Sequence, residues 1–158
     1  MFKRILLALL IVFIIAQFIR PPHNNGIAAS STDITHAVPL TDSIMGILKT
    51  ACYDCHSNNT NYPWYSKITP VNWWLNNHIN EGKRELNFSI FSNYSYRRKS
   101  KKLEEIAETV EKHQMPLDSY LWIHKEAELN DAQRKMIIDW AKSAQEKVMQ
   151  DSLKKMRP

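Results

Sequence analysis

Two cysteines, three residues apart and followed at once by a histidine, constrain this chain more than any other feature: Cys52-Tyr53-Asp54-Cys55-His56. No other cysteine occurs in the 158 residues. A disulfide framework is therefore excluded, and the core has to come from ordinary packing or from packing around a bound group. Zinc fits the pattern badly. It asks for four ligands where one cysteine pair is present, and His56 cannot easily join both neighbouring sulfurs on one tetrahedral ion. A redox-active dithiol of the thioredoxin kind is the other competing reading, and it expects a β-α setting.

The rest of the sequence reads as helix, so the expected class is all-α. Glycine is scarce, at three residues, and long stretches are rich in Lys, Glu, Leu and Ala. Thr41 or Asp42 can cap a helix carrying Ile44, Met45, Ile47 and Leu48, which leads into Cys52. Thr69 as N-cap and Pro70 at the first helical position predict a second helix, with Val71, Trp74, Leu75 and Ile79, ending near Gly82. A third opens at Ser100, places Leu103, Ile106, Ala107 and Val110 on one face, and stops before Pro116. Asn130 and Gln133 form a capping box for a last helix with Met136, Ile137, Trp140, Ala144 and Val148 on one side. No segment alternates convincingly with period two, although 87–96 is ambiguous.

Residues 1–20 read as a membrane anchor or signal sequence. Lys3 and Arg4 precede a run without a polar residue from position 5 to 16, and Gln17-Phe18-Ile19 extends it to Arg20. The strict run is shorter than the ~20 residues of a usual transmembrane helix. Phe2, Phe18 and Ile19 lengthen it, and the flanking cations can reach the head groups. No cleavage site comes directly after it, which favours an uncleaved single-pass helix. The positive-inside rule then leaves the N-terminus in the cytoplasm and the remaining chain in the periplasm of a Gram-negative cell, on the inner membrane. Residues 21–39 read as a linker holding the domain clear of the bilayer. Residues 40–150 form the domain and 151–158 a basic tail.

Against this background the Cys52-x-x-Cys55-His56 pattern reads as a c-type haem attachment site. Two thiols one helical turn apart can each add across a vinyl group on one porphyrin edge. The adjacent His56 then lies under the ring with a nitrogen at the iron. One covalent haem c is expected. For the sixth iron position Met115, in Gln114-Met115-Pro116-Leu117, is preferred. It sits well downstream on a loop stiffened by proline, and Met/His ligation raises the potential. His78 is the alternative and would give a bis-histidine haem. His113 and His124 are expected to be solvated or hydrogen-bonded. Tyr62-Pro63-Trp64-Tyr65 and Trp73-Trp74 are expected to pack, some of them against the porphyrin. Arg84, Arg97 and Arg98 are candidates to pair with a haem propionate.

The chain resembles the bacterial haem-binding domain family. The resemblance rests on the anchor ending Gln-Phe-Ile-Arg-Pro-Pro, then Cys-Tyr-Asp-Cys-His-Ser-Asn-Asn-Thr, Tyr-Pro-Trp-Tyr, Pro-Val-Asn-Trp-Trp-Leu, Glu-Leu-Asn-Phe-Ser, Met-Pro-Leu-Asp-Ser-Tyr, and Leu-Asn-Asp-Ala-Gln-Arg before Ile-Asp-Trp-Ala. It implies a mono-haem domain similar to class I cytochromes c, with helices near 41–51 and 131–147 crossing beside the haem and Met115 at the methionine-ligand position. The Trp-rich stretch 62–86 is unlike a minimal cytochrome c.

The expected function is single-electron transfer at the membrane surface with a redox partner protein, rather than enzyme catalysis. The competing readings are a haem-based gas sensor or peroxidase-like protein with a displaceable sixth ligand, and a haem-free thiol–disulfide oxidoreductase. The formal net charge of +5 draws on Arg97-Arg98-Lys99-Ser100-Lys101-Lys102 and Lys154-Lys155-Met156-Arg157. It is read first as solvated surface and second as a dock for an acidic redox partner. With no helix-turn-helix, zinc-finger or RNA-binding signature, nucleic acid is not an expected partner.

Overall fold

In the computed structural model, residues 1–156 are described. Arg157 and Pro158, assigned above to the basic tail, lie outside the described residues. The order is α1 (Phe2–Ala16), α2 (Asp42–Ala51), α3 (Tyr53–His56), α4 (Val71–Glu85), α5 (Tyr96–Glu111), α6 (Asp118–Leu121) and α7 (Asp131–Met156), joined by short 3-10 turns. Among the described residues there is no strand; the β-type pairing is an isolated bridge between Asn25 and Asn59. The class is all-α.

Local chemistry sets the helix ends. Thr41 caps α2 by accepting the Ile44 N–H at 3.3 Å. Asn130 and Gln133 bond reciprocally at 3.0 and 2.9 Å, the expected capping box, and hold the start of α7. Two starts differ from expectation. Thr69 does not cap α4; Pro70 takes the N-cap position, and the Thr69 hydroxyl is buried without a partner. The helix also runs on past Gly82 to Glu85. α5 opens four residues early, because Ser95 accepts the Arg98 N–H and outcompetes Ser100. The ambiguous 87–96 stretch becomes a 3-10 turn, Phe88–Asn93, running into α5.

The core forms where α7 lies along α5, with a smaller contact to α2. Leu103, Ile106, Ala107 and Val110 of α5 are buried, as the periodicity predicts, against Ile137, Ala141, Ala144 and Val148 of α7. Each of the Leu, Ile and Val side chains contributes about 1.5–3 kcal/mol on burial, and each Ala less. Phe88 and Phe91 belong to the same buried cluster, Phe88 stacked on Tyr53 of α3, and Leu48 of α2 is fully buried. Met136, expected on the same face of α7, is exposed.

Two segments depart from the expected organisation. Residues 21–39 are no spacer. Asp33, Ile34 and Val38 are buried, and Ser30 and Thr32 both donate to the Ser89 carbonyl. Asn24 donates to the Ser57 carbonyl and to Thr60 Oγ1, and the Gly26 N–H donates to the Asn58 carbonyl at 2.7 Å. A segment poor in apolar residues thus docks through polar side chains, which hydrophobic periodicity does not register. Residues 151–156, read as tail, continue α7.

The membrane-spanning helix expected over residues 1–20 is not found in that form. The α1 helix ends at Ala16, and the next residues turn in tighter i→i+3 bonds. Among the described residues no helix is long and apolar enough to cross a membrane. None of α1 is buried by the rest of the protein. Its end is fixed to the domain: the Gln17 side-chain amide exchanges two hydrogen bonds of 3.0 Å with the Thr69 backbone, and Trp73 Nε1 donates to the Ile19 carbonyl at 2.8 Å.

Candidate functional site

Cys52 ends α2 and starts α3, and its carbonyl accepts both the Cys55 and His56 N–H groups, at 3.2 and 3.0 Å. The motif is therefore one tight turn, with both sulfurs and the imidazole reaching out of it. The two thiols are unbonded to each other. Burial pushes the Cys52 thiol up to about 12, with the neighbouring Cys55 adding to the shift. Cys55 rises to about 11, again chiefly through burial, with a further push from Asp54. Protonated, half-buried thiols are the opposite of the low-pKa, exposed cysteine that a thiol–disulfide oxidoreductase uses.

His56 is held by the end of α4. Its Nδ1 lies 3.0 Å from the Gly82 carbonyl and 3.0 Å from the Leu86 carbonyl. Two carbonyl acceptors require an N–H at Nδ1, which leaves the Nε2 lone pair free for a metal. Burial lowers the His56 pKa; the two carbonyl bonds oppose this and Lys102 adds to it. The close approach depends on Gly82. A Cβ there would stand 2.7 Å from the Cys55 carbonyl oxygen. The amino-acid pattern marks Gly82 only as a helix end.

Two adjoining cavities open on the motif. One, of about 270 Å³, runs between α2, α5 and α7 and is lined by Leu48, Leu86, Phe88, Ile106, Val110 and Ile137. The other, of about 320 Å³, extends past Cys55, Gly82 and Tyr120. Ala51, Cys52, His56, Glu85, Met115 and Pro116 line both, so the two form one apolar cleft with the motif at its waist. Met115 reaches the cleft because the chain reverses after α5 at His113, whose φ of 56° is left-handed. The Met115 N–H then bonds back to the Thr109 carbonyl.

His78 lines the second cavity but not the first. Its Nδ1 is 2.9 Å from the Trp74 carbonyl. His113 is exposed, and His124 bonds the Tyr65 hydroxyl at 2.8 Å and Glu126 at 3.0 Å. Arg97 and Arg98 are exposed, Arg98 over the Tyr94 ring at 4.0 Å, while Arg84 faces Glu81 and Glu85. None of these three lines the cleft.

The cation at the cleft is Lys102, a residue that the sequence pattern alone leaves within a solvated basic run. Its side chain is 13% exposed and pairs with Glu105 at 2.6 Å and Glu85 at 3.7 Å, all three lining the first cavity. The signal was available. Lys102, Glu105, Ile106 and Thr109 follow one helical stripe, the stripe that faces the cavity. Equally silent in the sequence is the brace beneath the motif, where Tyr120 donates to Asp54 Oδ2 at 2.8 Å and Thr60 donates to the Asp54 carbonyl.

Among the described residues no group of three or more His, Cys, Asp or Glu is placed to hold a bare metal ion. A thiol pair, an imidazole with one committed and one free nitrogen, and an apolar cleft instead fit a flat metal-bearing macrocycle. The fold and site together define a haem-binding protein. The chain belongs to the haem-binding domain family, whose profile matches residues 11–143. No curated protein and no solved structure matches the chain.

Proposed function

We propose that this haem-binding protein is a c-type cytochrome, held at the periplasmic face of the inner membrane by α1 and passing single electrons to a redox partner protein. The observation that carries the reading is the one-turn placement of Cys52, Cys55 and His56 at the waist of an apolar cleft. Cys52 and Cys55 are the residues to form the two thioethers, and His56 Nε2 the proximal ligand to iron. Met115 is the distal ligand of choice, since it shares both cavity walls with His56; His78 is the alternative. A bound haem supplies one-electron exchange at its iron.

The protein's own residues prepare that site. The Gly82 and Leu86 carbonyls fix the imidazole tautomer and aim Nε2 into the cleft. Leu48, Phe88, Ile106 and Ile137 exclude water from it. Lys102 at the edge is already paired with Glu105 and Glu85, so a carboxylate binding there has to displace one of them. The tether is supported by α1 itself, which after Lys3 and Arg4 is apolar on every face and has no buried residue. An exposed apolar surface of this extent calls for a covering.

The test is expression of the full chain in a host able to attach haem to c-type cytochromes. The purified chain should carry the mass of one haem and retain haem stain on a denaturing gel. Cys52→Ala with Cys55→Ala should abolish the stain. A colourless wild-type chain with both thiols free overturns the reading.

A further inference from the structure

The α1 helix has 15 residues and so spans about 22 Å. The hydrocarbon core of a bilayer is about 30 Å thick. An anchor this short leaves a mismatch that must be met by thinning the bilayer or by sinking the adjoining part of the domain. The residues after α1 are not free chain. Gln17 is bonded to Thr69 and Ile19 to Trp73, so the start of α4 sits at the same depth as the end of α1.

The surface around that point is built for an interface. Trp73 and Trp74 occupy the first turn of α4, each with more than a third of its surface exposed. Trp74 shares an apolar groove with Trp122 and Ile123 that adjoins the cleft at Cys55 and His78, and Tyr65 of the same groove lies 5.9 Å, ring to ring, from the outward-facing Trp64. Trp64 is 73% and Trp122 74% exposed. Four of the five tryptophans thus have more than a third of their surface in solvent, and one of them, Trp73, is bonded to the end of α1 beside Trp74. Arg20 and Lys67 line a common hollow beside them, and no Asp or Glu occurs from Ser57 to Asn80. Asp118 and Glu126 flank Trp122, so the carboxylate-poor side is the one holding Trp64, Trp73 and Trp74; tryptophan with nearby cations is the composition of the head-group zone of a membrane.

Resting on the tether proposed above, we infer that this tryptophan face, centred on Trp64, Trp74 and Trp122, is a second membrane contact that lies in the head-group region of an anionic bilayer and completes the short anchor. The partner is a lipid surface rather than a protein, because α1 leads directly into the face and fixes its depth.

The experiment uses the haem-loaded full chain in vesicles of phosphatidylcholine and phosphatidylglycerol containing a lipid with a photoactivatable group near the head group. Illumination and peptide mapping should give adducts on α1 and on the peptides holding Trp64, Trp73-Trp74 and Trp122. Labelling there should exceed that of the α7 peptide holding Trp140 by about tenfold, as expected for a position in the lipid interface against one outside it. Trp64→Ser with Trp122→Ser, both at exposed sites, should keep the haem and the α1 adducts while cutting labelling of the 64–74 peptide severalfold. Adducts on α1 alone overturn the second contact and leave the tether standing. A chain that fails to float with the vesicles, with no adducts anywhere, overturns both.

Discussion

Gly82→Ala and Gly46→Ala make the same chemical change in two helices and should move stability in opposite directions. At Gly82 the new methyl would stand 2.7 Å from the Cys55 carbonyl oxygen and 3.2 Å from the Cys55 carbonyl carbon and Cβ. The nearest of these atoms are backbone of the motif turn and cannot rotate aside, so α4 has to retreat from α3. Overpacking of this kind costs about 1–3 kcal/mol. The gain in helix propensity returns about 1 kcal/mol. The net expectation is a loss of up to about 2 kcal/mol, or a melting temperature lower by up to about 8 °C. At Gly46, inside α2, a methyl meets nothing within 4 Å. Only helix propensity acts there, a gain of up to about 1 kcal/mol. The assay is equilibrium denaturation followed by circular dichroism, with both variants measured beside the parent. If Gly82→Ala is as stabilising as Gly46→Ala, the contact between α4 and the motif turn is not tight, and the account of how His56 is held fails with it.

Met115→Ala should leave haem attached but change the absorption spectrum and lower the reduction potential; an unchanged spectrum would discard Met115 as the distal ligand and turn attention to His78. A high-spin ferric spectrum in the wild-type chain would instead favour the sensor or peroxidase-like reading over the electron carrier. Tyr53→Phe removes the phenol that donates to the fully buried Asp33 at 3.1 Å and should cost about 1.5–3 kcal/mol, the value of a hydrogen bond to a charged group, read by the same denaturation assay. Tyr53 and Tyr120 both have raised pKa values, first through burial and then through Asp33 and Asp54 respectively. A raised folded pKa means stability that is complete below the unfolded tyrosine value near 10 and is lost as pH climbs above it. Alkaline titration at the phenolate band should therefore show these two tyrosines ionising only as the fold is lost, and prompt reversible ionisation of all six tyrosines near pH 10 would contradict their placement.

The legible part of the sequence was whatever repeats or caps. The α5 stripe Leu103, Ile106, Ala107 and Val110 is buried as its spacing demands, and the Asn130–Gln133 box forms as expected. The cysteine pair and histidine stand out by their spacing, and the structure places them on one turn at the cleft. The failures share a cause. Residues 21–39 dock through Asn24, Ser30, Thr32 and Asp33, whose bonds run to partners 20 to 59 residues away and leave no local pattern. Thr69 has the form of a cap but is engaged by Gln17 through its backbone instead. Lys102 resembles surface because its neighbours Arg97, Arg98 and Lys101 are surface; only the helical stripe separates it from them.

The latch formed by Asn24 and Gly26 on residues 57–60 bears on how electrons would travel. A cytochrome on a floppy tether works as a swinging arm, visiting donor and acceptor in turn through a wide arc. Here the chain between α1 and the motif is riveted at Gln17, Ile19, Asn24 and Gly26, so the arm has no slack. On the tether and electron-carrier role proposed above, traffic to such a haem would come by sideways drift of whole proteins in the plane of the sheet of lipid, each meeting the cleft at one fixed height and tilt.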